Sequence, residues 1–270
     1  MKRIVRMAIL GLMIIISTSV SAQSNELRRY IADLNKSLPV KLNDYQAVLK
    51  YEYLDSVVYV TYYLYKPFKA MAYHHLSQRQ KKAILTLSLS QSGDEFINLL
   101  IRNKAGYGLA YADSVHTVYF FLSNVEVERM YSVSKMGSLS VVFNDEFGNL
   151  VEALNANYIV EKPVFENSIF FPAFVLLDKK NNKIKFDYIV RDEDQFKKYY
   201  PDEKLKDYIA IVLKSSALDR LLLSKCISYG YKISYRFYRD GKGKVAETLK
   251  MIKSVDLKET ELRSIQNDIY

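Results

Sequence analysis

The sequence predicts an α+β protein: two tandem copies of an α-β-β-α-α-β-β unit, each an antiparallel four-stranded sheet with helices packed on one face. Three observations predict it. First, apolar patterns recur at a spacing of 124: Pro39 and Pro163 each precede valine, Val60 meets Ile184, Tyr62 meets Phe186, and "GYGLAY" from Gly106 meets "GYKISY" from Gly230. Second, short alternating runs come in pairs around turn-forming residues, as hairpins do. Third, the stretches between the hairpins carry apolar residues at helical spacing.

The chain opens with "MKRIVRMAILGLMIIISTSVSA", where Lys2, Arg3 and Arg6 precede an apolar stretch from Met7 to Ile16 and then Val20-Ser21-Ala22. This is the pattern of an export signal, expected over residues 1–22 with cleavage after Ala22. The first copy is expected over 24–130. It begins with an amphipathic helix, "SNELRRYIADLNKSL", with Ser24 as N-cap and Leu27, Ile31 and Leu34 on one side. A hairpin follows near 48–65, turning at Leu54-Asp55-Ser56; then two helices, "SQRQKKAILTLSL" and "GDEFINLLIRN"; then a second hairpin of 107–112 with 117–122. Residues 131–143 connect the copies, and "SLSVVF" within them reads as an extra strand. The second copy, 144–262, repeats the order. Its helix starts near Asn144, its first hairpin spans 172–190 around Asp178–Asn182, its helix pair is "PDEKLKDYIAIVL" and "ALDRLLLSKCI", and its last hairpin joins 231–238 to 244–250. Residues 263–270 are read as a tail.

Composition narrows the function classes. Nearly half of the residues are hydrophobic, with 9 Gly and 5 Pro in 270, so the chain can bury cores and is not of disordered type. The net charge of +9 includes the three basic residues of the leader, and the remainder is mild. Lysine clusters such as Lys179-Lys180 and Lys197-Lys198 read as solvated faces. Nucleic acid is not an expected partner, and no segment after the leader has the length of a membrane helix. The single Cys226 excludes an internal disulfide and reads as a buried apolar residue on a helix.

One stretch is under-explained. In "VVYVTYYLY", Val57 to Tyr65, both strand faces are apolar or aromatic. The outward positions are Val57, Tyr59, Thr61 and Tyr63, beside Gly108, Ala110 and Ala112 of the other hairpin. The matching positions of the second copy, Lys183, Lys185 and Asp187 with Lys232, Ser234 and Arg236, read as an ordinary hydrated face. Something is therefore expected to cover the first sheet: the other copy, the 131–143 segment, a helix, or a bound partner. Tyr59, Tyr63, Tyr65 and Tyr107 are the candidate binding residues.

Catalytic patterns are missing. Adjacent His74 and His75 cannot face one metal from a strand, and no acidic residue stands at ligand spacing from them. Asp94-Glu95 and Asp202-Glu203 suit the positive end of a helix. No nucleophile elbow, phosphate loop or Cys/His cluster occurs. No catalytic residue, metal or cofactor is assigned.

The stretch "LNKSLPVKLNDYQAVLKYEYLDSVVYVTYYL" resembles a loose group of uncharacterised exported proteins of gut and oral Bacteroidetes. These share an Asn-Lys-x-x-Pro segment (Asn35, Lys36 and Pro39 here) followed by an alternating Tyr/Val hairpin. The resemblance covers about thirty residues and implies an envelope location. The reading that follows is an exported binding protein, periplasmic or secreted, non-catalytic, whose partner is a protein or envelope component. Two alternatives stand beside it. One is an envelope hydrolase using His74 or His75 with Asp94 or Glu95; the other is a structural assembly subunit.

Overall fold

Helix α1, residues 25–35, forms because Leu27 and Ile31 fall one turn apart on a single face. Both are buried, Leu27 completely. The structure, a computed structural model, describes residues 25–135, 146–161, 168–240 and 250–268. The expected leader and the expected strand near 138–143 lie outside the described residues. The chain divides into two compact units, the first built mainly from residues before Asn144 and the second mainly from those after it.

In the first unit, α1 leads to strands β1 (Val40–Asn43), β2 (Gln46–Leu54) and β3 (Val57–Leu64). Helices α2 (Ala70–His74), α3 (Gln78–Ser90, of which the residues up to Ala83 group with the second unit) and α4 (Asp94–Arg102) follow, then β4 (Gly106–Ala112), β5 (Thr117–Leu122) and helix α5 (Asn124–Lys135). The sheet has five strands in the order β1-β2-β3-β4-β5. Between β2 and β3 the turn is Asp55-Ser56, with φ of 47° and 64°. Positive φ at both central residues is the backbone hand that a tight hairpin with twisted strands requires.

The second unit holds α6 (Glu146–Glu161), β6 (Phe170–Asp178), β7 (Lys183–Val190) and helices α7 (Glu193–Tyr199), α8 (Asp202–Ser215) and α9 (Ala217–Tyr229). It closes with β8 (Lys232–Arg239), β9 (Met251–Leu257) and α10 (Glu259–Asn267). Its sheet is β6-β7-β8-β9. Most of the expected strand 244–250 lies outside the described residues; the strand seen after it, "MIKSVDL", alternates, with Val255 and Leu257 buried and Asp256 exposed. Helix α5 runs past the expected boundary at 130. Helix α10 occupies much of the expected tail, and its Leu262 and Ile265 are buried.

The sheets are mixed, not antiparallel throughout. In each, the two central strands run parallel (β3 with β4, β7 with β8), while the outer pairs are antiparallel. Hairpin patterns alone do not reveal this direction. It is set by the helical connection, which carries the chain back to the end of the sheet where the preceding strand began; parallel pairing needs such a crossover.

A local device recurs in both units. The Asn35 side chain accepts from the backbone N–H of Tyr51 at 2.7 Å and donates to its carbonyl at 2.8 Å. Asn155 on α6 does the same to Val175, at 2.6 and 3.0 Å. Each asparagine latches the first helix to the strand just after a β-bulge, between Val48 and Lys50 or between Pro172 and Phe174. Tyr51 and Val175 keep their cross-strand partners; Tyr51 lies past the residues that β1 pairs and Val175 lies on an edge strand, so the amide takes backbone groups that no further strand pairs. Tyr51 and Val175 are 124 apart, but their cross-strand partners Val60 and Phe186 are 126 apart. The constant spacing thus breaks at the hairpin, whose turn has two residues in one unit and four in the other. An even change preserves which face each residue takes. It does move the partners, so that Tyr107 answers to Ile233 rather than Tyr231.

The outward faces differ as expected in kind but not in detail. On the second sheet, Asp187 is only 4 % exposed, and Arg236 donates to it from Nε at 2.6 Å and Nη2 at 2.7 Å. The two are register partners across the parallel pair, so this face holds a desolvated ion pair and is not simply wet. On the first sheet, Tyr59 lies directly across Gly108. A Cβ there would come within 2.4 Å of its ring. The small residue is the seat for a neighbouring ring from the same sheet, so the sheet partly covers itself. Beyond that ring, Tyr119 and Phe121 of β5 are each 54 % exposed.

Candidate functional site

A cavity of about 210 Å³ lies in the first unit, between α1, the α3–α4 turn and the inner face of the sheet. Helix α1 supplies Tyr30 and Leu34, one turn apart. The asparagine latch holds that helix over β2, where Tyr51 is the latched residue itself. Val60 and Tyr62 stand two apart on β3 and therefore on one face, and Tyr107 joins them from β4. Ser88, Gln91 and Ser92 come from the end of α3 and the turn after it. Gly93, with φ of 81°, reverses the chain into α4, which delivers Phe96.

Phe96 organises the walls. Tyr30 stacks on it at 5.9 Å with planes 24° apart, while Tyr51 and Tyr107 meet it nearly at right angles, at 6.3 and 6.1 Å. These are favoured aromatic geometries. The floor is a group of hydroxyls. Ser88 Oγ and Tyr107 OH are 2.7 Å apart, with Tyr62 beside them in the lining. Burial raises the phenols of Tyr51, Tyr62 and Tyr107 above their ordinary value, so all three are neutral at physiological pH. Tyr30 is raised too, by burial first and then by the charge of Glu95. Gln91 is exposed and marks the mouth.

The second unit handles the same architectural position differently. Through the latch and the strand pairings, Leu34, Tyr51, Val60 and Tyr107 answer to Leu154, Val175, Phe186 and Ile233, all 2 % exposed or less. There Phe186 stacks on Tyr235 at 4.7 Å, packing the space with rings and aliphatic groups. Val60 is smaller than Phe186, whereas Tyr51 and Tyr107 are larger than Val175 and Ile233, so the two units divide the same position differently among their side chains.

The four expected binding residues do not form one group. Tyr59 and Tyr63 are half-buried on the outer face, Tyr59 edge-on to Tyr119 at 5.3 Å. Tyr65 lies just past β3, 40 % exposed and edge-on to Tyr63. Tyr107 belongs to the opposite face, is 1 % exposed, and lines the cavity. Strand alternation places it there, since odd positions of β4 face the core. Tyr30, Tyr51, Ser88 and Phe96 escaped sequence reading, because each looks like an ordinary core or turn residue until the helices are placed. The Asn35 of "NKSLP" was the available signal.

His74, His75, Asp94 and Glu95 are all exposed, and none lines the cavity. Cys226 is buried, with its thiol pushed up to about 12 by burial. Among the described residues, no group of three His, Cys, Asp or Glu could hold a metal ion, and no helix is long and apolar enough to cross a membrane.

Fold and site together define an α+β protein of two mixed sheets with an aromatic, hydroxyl-floored cavity in the first. No family model and no curated protein matches the sequence. Among solved structures the chain is similar to the crystal structure of a "putative secreted protein" from Pseudomonas aeruginosa. The two are 15 % identical, over 47 % of this chain and 99 % of that one, with a TM-score of 0.33.

Proposed function

We propose that this is an exported, non-catalytic binding protein of the bacterial cell envelope, whose first unit takes a small molecule in the cavity behind Tyr107. The observation that carries the reading is the contrast between the units: an architectural position filled by Phe186 in one is an open, ring-walled space in the other. Cavities that mix apolar walls with a few convergent polar groups are the usual form of small-ligand sites. The lining contains no carboxylate, imidazole, amine, guanidinium or thiol, which favours binding over acid–base chemistry. Export rests on the leader-like Met1–Ala22 and on the resemblance carried by Asn35, Lys36 and Pro39. The repeated latch, bulge and parallel central pair support descent of both units from one duplicated module.

Screening a fragment library against the mature chain by saturation-transfer NMR tests the binding role. Hits are expected to vanish in Val60→Phe, which fills the cavity as Phe186 does. A library with no hit dependent on Val60 removes this reading. Recovery from the envelope fraction with Gln23 as the first residue is the expected outcome for export.

A second reading concerns the outer face, where Tyr119 and Phe121 stand half exposed beside Tyr59. Tyr59, Tyr63 and Tyr65 would there contact a protein or envelope component. Tyr59→Lys with Tyr63→Lys is expected to abolish partner recovery while leaving fragment binding intact.

A further inference from the structure

Resting on the reading of the cavity as a ligand site, we infer that its ligand is a neutral, single-ring, phenol-like aromatic molecule. Four features of the cavity select this class. Size comes first: an apolar cavity of roughly 150 Å³ holds one benzene, so about 210 Å³ accommodates one six-membered ring with a small substituent. Shape agrees, since Tyr30 and Phe96 are nearly coplanar in orientation while Tyr51 and Tyr107 stand almost perpendicular to Phe96. Such a corner offers a planar guest both stacked and edge-on contact, the two arrangements aromatic pairs prefer.

Charge is decided by what the lining lacks. A carboxylate or phosphate entering here would lose its hydration and meet only hydroxyls, a carboxamide and ring faces, which do not compensate a desolvated ion. A primary ammonium ion would gain cation–π contacts but find no carboxylate to replace its hydration, whereas a weakly hydrated quaternary ammonium is the charged competitor a ring-walled space suits best, and the titration below separates it. Polar demand is decided by the floor. Ser88 has one hydrogen to donate and two lone pairs, and it already engages Tyr107. Ser88 and Tyr107 satisfy one another, and Ser92 Oγ donates to the Ser88 carbonyl at 3.0 Å, so part of the floor is already engaged before a ligand enters. A phenol hydroxyl or an aryl carbonyl adds a single polar group. A hexose would bring more hydroxyls than that, some of them against Leu34, Val60 and Phe96.

The experiment is calorimetric titration of the mature chain with p-cresol, benzoate, benzyltrimethylammonium and glucose, repeated on Val60→Phe, on Ser88→Ala with Tyr107→Phe, and on the outer-face control Tyr119→Ser. The expected result is that p-cresol binds at least tenfold more tightly than the other three. Binding is lost in Val60→Phe, weakens about tenfold in the Ser88/Tyr107 variant, and is unchanged in Tyr119→Ser. Should Val60→Phe fail to fold, the Ser88/Tyr107 variant carries the comparison. If benzoate, the ammonium or glucose binds as tightly and depends on Val60 or Ser88, the ligand class is overturned while the cavity remains a binding site. If p-cresol binds without depending on either, the cavity is not its site and the inference falls. Heat from none of the four overturns the class, and the fragment screen then decides separately whether the cavity binds anything.

Discussion

The second unit should lose stability as the pH rises from 5 to 8, chiefly through two acids held well up, Glu161 and Asp219, with Asp187 acting in the same direction. Glu161 ends α6, and Asp219 lies in the first turn of α9, where it is 9 % exposed. Burial, and secondarily the charge of Asp219, holds the Glu161 carboxyl up to about 7. Burial likewise holds Asp219 up to about 6, against the opposing hydrogen bond from Ser216 Oγ at 2.5 Å and the charge of Arg220. A raised carboxyl binds its proton more tightly in the fold than in the unfolded chain. Its contribution is therefore lost as the pH climbs from the unfolded value, near 4, through the folded one. An acid raised from 4.5 to about 7 favours the unfolded chain by roughly 2–3 kcal/mol above both values, allowing for partial exposure. The two contributions overlap, since Asp219 is part of what raises Glu161, and together they amount to about 3–5 kcal/mol. Acids whose pKa is lowered, such as Asp178 at about 2, act only below this window. The assay is urea denaturation from pH 4.5 to 8.5, followed by tyrosine near-UV circular dichroism. The midpoint is expected to fall through pH 5–7 in the wild type and to flatten in Glu161→Gln. Equal pH profiles for the wild type, Glu161→Gln and Asp219→Asn would refute the reasoning.

Three further outcomes follow from single contacts. Gly108→Ala is expected to cost about 1–2 kcal/mol by displacing the Tyr59 ring, and Tyr59→Ala in the same chain should recover part of that loss in thermal melts. Arg236→Leu should destabilise by about 3 kcal/mol because Asp187 is left desolvated and unpaired; Arg236→Leu with Asp187→Leu should melt above the single variant. Asn155→Ala leaves the Val175 N–H and carbonyl without their partner. It is expected to cost about 2 kcal/mol, with faster amide exchange confined to β6 and α6.

Much of the fold was legible because its determinants are local. Alternation located seven of the nine strands among the described residues closely, and the 3.6-residue period found α1, the α3–α4 pair, α6 and the α8–α9 pair. What escaped were consequences of distance. The parallel central pairs depend on how a helical connection returns the chain, which no strand pattern encodes. Short β1 has all four residues exposed and so shows no buried face to detect. The site was less legible than the fold. Tyr59 drew attention because an aromatic on an outward face breaks the expected alternation, yet its ring is explained by the glycine beneath it. Tyr107 was singled out for company it does not keep, and it lines a cavity whose other walls come from α1 and the α3–α4 turn. A cavity is defined by missing volume, which depends on how residues such as Tyr51, Val60 and Tyr107 come together and not on any one of them.

The crossovers bear on how each unit assembles in time. The seam of each sheet joins its most distant partners: Val60 faces Leu109 and Phe186 faces Tyr235, both 49 residues apart. The hairpins on either side close over a few residues and form on the microsecond scale. The seam must wait for a long loop to close, which is the step that slows non-local topologies. Rejoining the chain ends and opening the backbone within the α2–α4 connector would sever that loop. It would change the speed at which the first sheet forms far more than the sheet that results.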